Sequence, residues 1–147
     1  MRVSKEGDYA LRAVLFLGGK TLGERSTKRE IADSEAIPEQ FLSKILQGLV
    51  RAGVVASRVG VGGGYWLARS AAEVSFLEVI EAVGGPLELN ECTGDPATCS
   101  QSPHCGQMLV WRAAEEQLRG LLGRTTLASV LERSVPDGFA RLEHDAR

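Results

Sequence analysis

Three cysteines, Cys92, Cys99 and Cys105, fall within fourteen residues of a 147-residue chain. Their thiolates can hold a soft metal or exchange with a disulfide, so this segment is the first place to look for chemistry. None lies in the apolar segments, where a packing thiol would sit. An odd number of cysteines, with no export signal ahead of them, argues against a disulfide framework. Zinc is satisfied by count if His104 completes a Cys3His set. The spacings of seven and six residues, however, lack the short Cys-x2–4-Cys hook of zinc sites. An empty thiol or disulfide sensor is the other use open to such a cluster.

A second set of residues suits a polyanion. At about 100° per residue counted from Gln40, the apolar Phe41, Leu42, Ile45, Leu46, Leu49 and Val50 fill one side of a helix. Gln40, Lys44, Gln47 and Arg51 fill the other side, flanked by Ser43, and the only acid, Glu39, sits in the first turn. Amides, hydroxyls and cations are the groups that read base edges and phosphates in a major groove. Downstream, Val54 to Arg58 and Tyr65 to Ala68 read as two strands around Val59-Gly60-Val61-Gly62-Gly63-Gly64. Glycines at such a tip let backbone approach a partner closely. A phosphate-cradling nucleotide loop does not fit, because no Gly-Lys-Ser/Thr follows and the glycines lead into a strand.

The elements that must position these residues are marked by local signals. Ser4 can cap a first helix to about Leu17, stopped by Gly18-Gly19. Thr27-Lys28-Arg29-Glu30 is a capping box that opens a short helix to about Ser34. A turn at Glu35-Ala36-Ile37 leads to Pro38, suited to the first position of a helix that Gly53 ends. This is helix-turn-helix spacing, and the strands after it form a wing. Ser75-Phe76-Leu77-Glu78 reads as another capping box, for a helix to Val83. Residues 88–105 read as a loop. A long helix over 106–122 carries Met108, Trp111, Ala114, Leu118 and Leu121 on one stripe, more than a small winged domain can cover. A last short helix is expected from Leu127 to Val135.

Charge divides along the same line. Residues 1–69 carry eleven Lys/Arg against seven Asp/Glu, a net of +4, and residues 70–147 carry six against twelve, a net of −6. The basic half is the one fitted to an anionic partner. With 44% hydrophobic and 24% charged residues the chain is neither disordered nor fibrous. No apolar run approaches the roughly 20 residues of a membrane span, and no signal peptide is legible, so the expectation is a cytoplasmic protein without a membrane partner. With no nucleophile–base motif, no paired catalytic carboxylates and two histidines, an enzyme is not expected.

Asp8-Tyr9-Ala10-Leu11-Arg12, Phe41-Leu42-Ser43-Lys44-Ile45-Leu46, Gly62-Gly63-Gly64-Tyr65 and Glu78-Val79-Ile80-Glu81-Ala82-Val83 resemble successive blocks of the Rrf2 family of bacterial transcription regulators. The resemblance spans about residues 1–135. It implies a mainly α fold, with a winged helix-turn-helix domain, a small β-wing and a long C-terminal dimerisation helix. It also implies a homodimer on a palindromic operator in double-stranded DNA. Carried over by position, Thr27, Lys28, Gln40, Ser43, Lys44, Gln47, Ser57, Arg58, Gly62 and Gly63 form the expected DNA-binding set. Cys92, Cys99 and Cys105 stand where the family places its iron–sulfur ligands, implying a 4Fe–4S cluster with a 2Fe–2S cluster as the alternative. Such clusters usually take four protein ligands. The histidine used by the iron–sulfur-biogenesis members is replaced by Met108, whereas Asp8 occupies the position from which nitric-oxide-sensing members supply an aspartate of the partner subunit. The expected organisation is a DNA-binding domain at 1–85, a cysteine loop at 86–105, dimerisation and terminal helices at 106–135 and a flexible tail at 136–147. The cluster would act as a redox- or gas-sensitive switch, and a cluster-free thiol or metabolite sensor is the alternative.

Overall fold

The computed structural model describes residues 4–133. The expected tail at 136–147 and the end of the expected terminal helix lie outside the described residues. Helix α1 (Lys5–Gly18) starts where Ser4 accepts the Gly7 amide at 3.0 Å. Helix α2 (Lys28–Glu35) opens on the full Thr27–Glu30 box, the Thr27 amide donating to the Glu30 carboxylate at 2.6 Å. That contact holds the Glu30 carboxyl below its ordinary pKa. Ala36 takes a left-handed conformation at φ 52°, an uncommon one for a residue with a Cβ. Buried Ile37 anchors the turn by donating its amide to the Ala32 carbonyl.

Helix α3 (Glu39–Arg51) follows, with Pro38 as its N-cap and not its first helical residue. Its apolar stripe is buried at Leu42, Ile45, Leu46 and Leu49, against Ala10, Ala13, Val14 and Leu17 of α1 and Ile31 of α2. Phe41, expected on the inner side, is 45% exposed and tilts against Tyr9 of α1. Its place at the edge of the apolar arc leaves only the ring's flank to cover.

Strands β1 (Val55–Arg58) and β2 (Gly64–Leu67) pair antiparallel, from Val55 opposite Leu67 to Arg58 opposite Gly64. Ser26 exchanges both backbone hydrogen bonds with Tyr65, adding a one-residue third strand. Gly64 makes this possible: its φ is 136°, and a Cβ there would stand 2.7 Å from the Ser26 carbonyl oxygen.

Helix α4 (Phe76–Gly84) packs chiefly on α1, and on α3 and α6 to an equal and smaller extent. Its expected capping box is half made. Ser75 accepts the Glu78 amide, but the Glu78 carboxylate pairs with Arg69 instead, because a guanidinium outcompetes a backbone amide as donor. The segment expected to be a loop holds short helical turns: α5 (Glu91–Gly94) and 3-10 turns at Pro96–Thr98 and Ser102–His104, with Pro96 and Pro103 entering the latter two. Helix α6 (Gly106–Arg124) runs two residues beyond expectation and buries no residue fully. Helix α7 (Leu127–Leu131) then returns to the core, where Leu127 is fully buried and its amide meets the Val74 carbonyl. It is shorter than expected, ending before Arg133 at φ 54°.

The contact between α3 and α4 depends on Gly48. A Cβ there would lie 3.0 Å from the Ala82 carbonyl oxygen and 3.3 Å from Val83. Helix propensity favours replacing this glycine by about 1 kcal/mol in alanine's case, but a larger branched side chain meets rigid backbone. Gly48→Val is expected to lower stability by about 1–3 kcal/mol in denaturant unfolding; an unchanged midpoint would contradict the close approach.

Candidate nucleic-acid interface and cysteine basin

The outer face of α3 follows from its buried stripe. With Leu42, Ile45, Leu46 and Leu49 turned inward, Gln40, Lys44, Gln47 and Arg51 stand exposed. The expected DNA-binding residues divide into two groups. Thr27 spends its hydroxyl inside the capping box. Lys28 donates to the Ser43 hydroxyl at 3.0 Å and lies 3.7 Å from the Glu39 carboxylate, so Lys28 and Ser43 join α2 to α3. Gln40, Lys44, Gln47, Ser57 and Arg58 make no side-chain hydrogen bond or ion pair among the described residues. Elsewhere in the basic half, Arg12, Lys20, Arg29 and Arg69 pair with Asp8, Glu24, Asp33 and Glu78. Apart from Lys5 at the start of α1, the uncommitted cations among the described residues of this half are therefore Lys44, Arg51 and Arg58, on α3 and the wing.

The wing tip is a turn closed by the Gly63 amide on the Gly60 carbonyl, with Gly62 at φ 71°. Gly63 is structural: a Cβ would meet the Arg58 carbonyl oxygen at 2.2 Å. Arg25, which sequence reasoning missed, braces this tip. Its guanidinium lies 5.1 Å over the Trp66 ring and donates to the Gly62 carbonyl. No local pattern announces it, because the two ends of that hydrogen bond are 37 residues apart.

The cysteines converge on one side of the molecule. Cys92 lies on α5, Cys99 ends a 3-10 turn and Cys105 precedes α6. All three are unpaired and line a single open basin of about 790 Å³, walled by Met108 and Trp111 of α6. Glu88 and Glu91, not singled out from sequence, line it too. His104 is exposed and not part of this lining, which weakens the Cys3His alternative. Three thiols around one basin are the soft donor set an iron–sulfur cluster takes. They share a wall but not yet a coordination sphere: among the described residues no three His, Cys, Asp or Glu side chains gather tightly enough to hold a metal ion. Asp8 does not line the basin of its own protomer; its carboxylate meets Arg12 at 2.8 Å.

The first half of the cysteine segment is clamped between helices. Glu81 of α4 accepts from the Leu87 amide at 2.9 Å and from Arg119 of α6 at 2.6 Å. Glu115 of α6 accepts from the Leu89 amide at 2.9 Å and the Thr93 hydroxyl at 2.6 Å. The Thr93 hydroxyl, then the Leu89 amide, hold the Glu115 carboxyl below its ordinary value of 4.5. Cys92 is the neighbour of Thr93, so the clamp sets its position.

Comparison with known proteins agrees with this architecture. The family model described as "Rrf2: Iron-dependent Transcriptional regulator" matches residues 3–133. A Mycobacterium tuberculosis protein that carries a helix-turn-helix regulator's name is 35% identical over 147 residues, covering 100% of this chain and 91% of that one. The HTH-type transcriptional regulator IscR of Serratia proteamaculans is 30% identical, over 89% of this chain and 79% of its own. Among solved structures, T. potens IscR superposes with a TM-score of 0.73 at 24% identity, covering 95% of this chain and 93% of that one. The oxidized form of Staphylococcus aureus CymR gives 0.70 at 26%, over 90% and 97%.

The clamp yields a pH prediction. A carboxyl whose pKa falls on folding contributes stability above its unfolded value, and that contribution is lost as pH falls through the depressed one. Ordering of residues 87–93 is thus expected to survive to a pH below 4.5, followed by the fluorescence of Trp111 in a Trp66→Phe background. At neutral pH, Glu115→Ala is expected to raise the rate at which a thiol reagent modifies Cys92 by roughly tenfold. An unchanged rate would mean the clamp does not order the loop.

Proposed function

The chain belongs to the Rrf2 family of transcriptional regulators, and we propose that it binds a palindromic operator in double-stranded DNA as a homodimer switched by an iron–sulfur cluster. The observation that carries the DNA reading is the set of uncommitted donors on α3 and the wing, while Arg12, Lys20, Arg29 and Arg69 are paired with carboxylates. Gln40 and Gln47 can offer an amide's paired donor and acceptor to a base edge, while Lys44 and Arg58 can meet phosphates. Family membership also supports a regulator over an enzyme, and no helix among the described residues is long and apolar enough to cross a membrane.

The dimer reading rests on α6. Leu109 and Val110 are 74% and 66% exposed and Trp111 36%, a cluster nothing among the described residues covers. The same helix from a second copy would cover it. Half-sites about 34–36 Å apart would then be read by two α3 helices whose separation α6 sets.

Cys92, Cys99 and Cys105 would hold the cluster, which when bound supplies a centre reactive toward oxidants and nitric oxide. Asp8 of the partner subunit would complete the set, exchanging its Arg12 contact for iron. A carboxylate is a harder ligand than a thiolate, so that position would be the labile one. A second reading, a cluster-free thiol sensor, is favoured by the lack of convergence among the three thiols and by likeness to CymR.

Iron and sulfide assays on anaerobically purified protein separate the two. The proposal expects stoichiometric iron and sulfide that Cys99→Ala abolishes, and an Asp8→Ala protein with an altered visible spectrum. Metal-free protein whose DNA affinity responds to dithiol oxidation would support the thiol sensor. On DNA, Lys44→Ala is expected to weaken binding to most sequences and lower the salt slope by about one, and Gln40→Ala to relax discrimination at one base pair. Wild-type behaviour in both would show the face to be misassigned. Val110→Glu changes an exposed residue, so the protomer should fold while sedimentation shows a monomer; a stable dimer would move the interface elsewhere.

A further inference from the structure

Between the C-terminal half of α3 and the wing lies a saddle of about 350 Å³, lined by Leu46, Gln47, Val50, Arg51, Ser57 and Tyr65. Its composition is layered. Leu46 is buried and Val50 half-buried, making an apolar floor. Gln47 and Arg51 rise from α3, and Ser57 and Tyr65 face each other across the β1–β2 ladder. Among the described residues, none of these four polar side chains has a hydrogen-bond or ion-pair partner.

We propose that this saddle is a binding site for one sugar–phosphate segment of DNA, with Arg51 and Tyr65 as its phosphate donors. The inference rests on the DNA reading above and extends it to Arg51 and Tyr65, which lie outside the expected contact set, beside Ser57, which lies within it. Adjacent major and minor grooves, about 12 Å and 6 Å wide, are divided by a phosphodiester strand. A protein that lays α3 in one groove and its wing in the next must straddle that strand, and the straddling surface is this saddle. The chemistry matches a backbone segment: deoxyribose presents an apolar edge to Leu46 and Val50, and the phosphate oxygens accept from Arg51, Tyr65 and Ser57. The contact fixes register and carries no base information.

The test uses the full-length dimer and a duplex selected by the wild-type protein from a random library. Arg51→Ala is expected to weaken binding about tenfold at moderate salt and to lower the salt slope by about one; Tyr65→Phe, which keeps the ring, should weaken it severalfold. Single methylphosphonate substitutions should find one phosphate per half-site whose neutralisation costs the wild type but not Arg51→Ala. Wild-type affinity and slope in both variants, while Lys44→Ala still binds weakly, would overturn the saddle and leave the DNA reading standing. Failure of the wild type to select any duplex would remove both. Millimolar binding of a mononucleotide in the saddle, with no effect of either variant on duplex affinity, would mark it as a small-ligand pocket and also overturn the proposal.

Discussion

The inward turn of one stripe of α3 is the constraint on which the rest depends. A helix advances about 3.6 residues per turn, so locking Leu42, Ile45, Leu46 and Leu49 beneath α1 fixes which residues face outward. Gln40, Lys44, Gln47 and Arg51 are presented because they are what remains. The turn before α3 is held at an unfavourable Ala36 conformation by burial of Ile37, and the wing after it by the Ser26–Tyr65 bridge. Each device serves the same end, keeping the exposed face of one helix at a set angle to one hairpin.

Helix α4 connects this reading head to the cysteines through two neighbouring residues. The Ala82 carbonyl presses on Gly48 of α3, and the Glu81 carboxylate holds Leu87 and Arg119 at the entrance to the cysteine segment. Packed interiors are stiff, so a change at residues 87–93 that moves Glu81 cannot leave the neighbouring Gly48 contact untouched. Under the proposed function, this packing would let the cysteines influence DNA binding without touching DNA. The chain also crosses this region twice, because α6 departs and Thr125 and Leu127 return to pair with Phe76 and Val74. A repositioned α6 therefore pulls on both ends of the segment that leads into α4.

Where one residue's neighbours in sequence decide its conformation, the elements were legible in advance: the Ser4 cap, the Thr27–Glu30 box, the 3.6-residue stripe of α3 and the glycine-rich wing. Glu78 departs from its expected role because Arg69, nine residues earlier, offers a better donor than a local amide. Arg25, Glu81 and Glu115 were invisible for the same reason, their partners lying 37, 38 and 26 residues away. The clustering of the cysteines in sequence is consistent with their lining one basin. It did not foretell the carboxylates beside them or the exposure of His104, since turn geometry decides which side chains of a short irregular segment share a side.

The uneven charge of the chain acquires a meaning once its partners are known. In the acidic half, Glu73, Glu78, Glu81 and Glu115 are spent on internal hydrogen bonds or ion pairs, bracing α4, α6 and the base of the wing. Others, such as Glu88 and Glu91, remain around the cysteine basin. The basic half does the reverse at its reading face, leaving Lys44, Arg51 and Arg58 unpaired. Along the sequence, the net charge of −2 thus conceals a basic half, which carries the unpaired cations of α3 and the wing, and an acidic half, which carries the cysteines. Under the proposed function, cysteine chemistry falls on α5 and the start of α6 and nucleic-acid contact on α3 and the wing, and α4 is the helix packed against both α3 and α6.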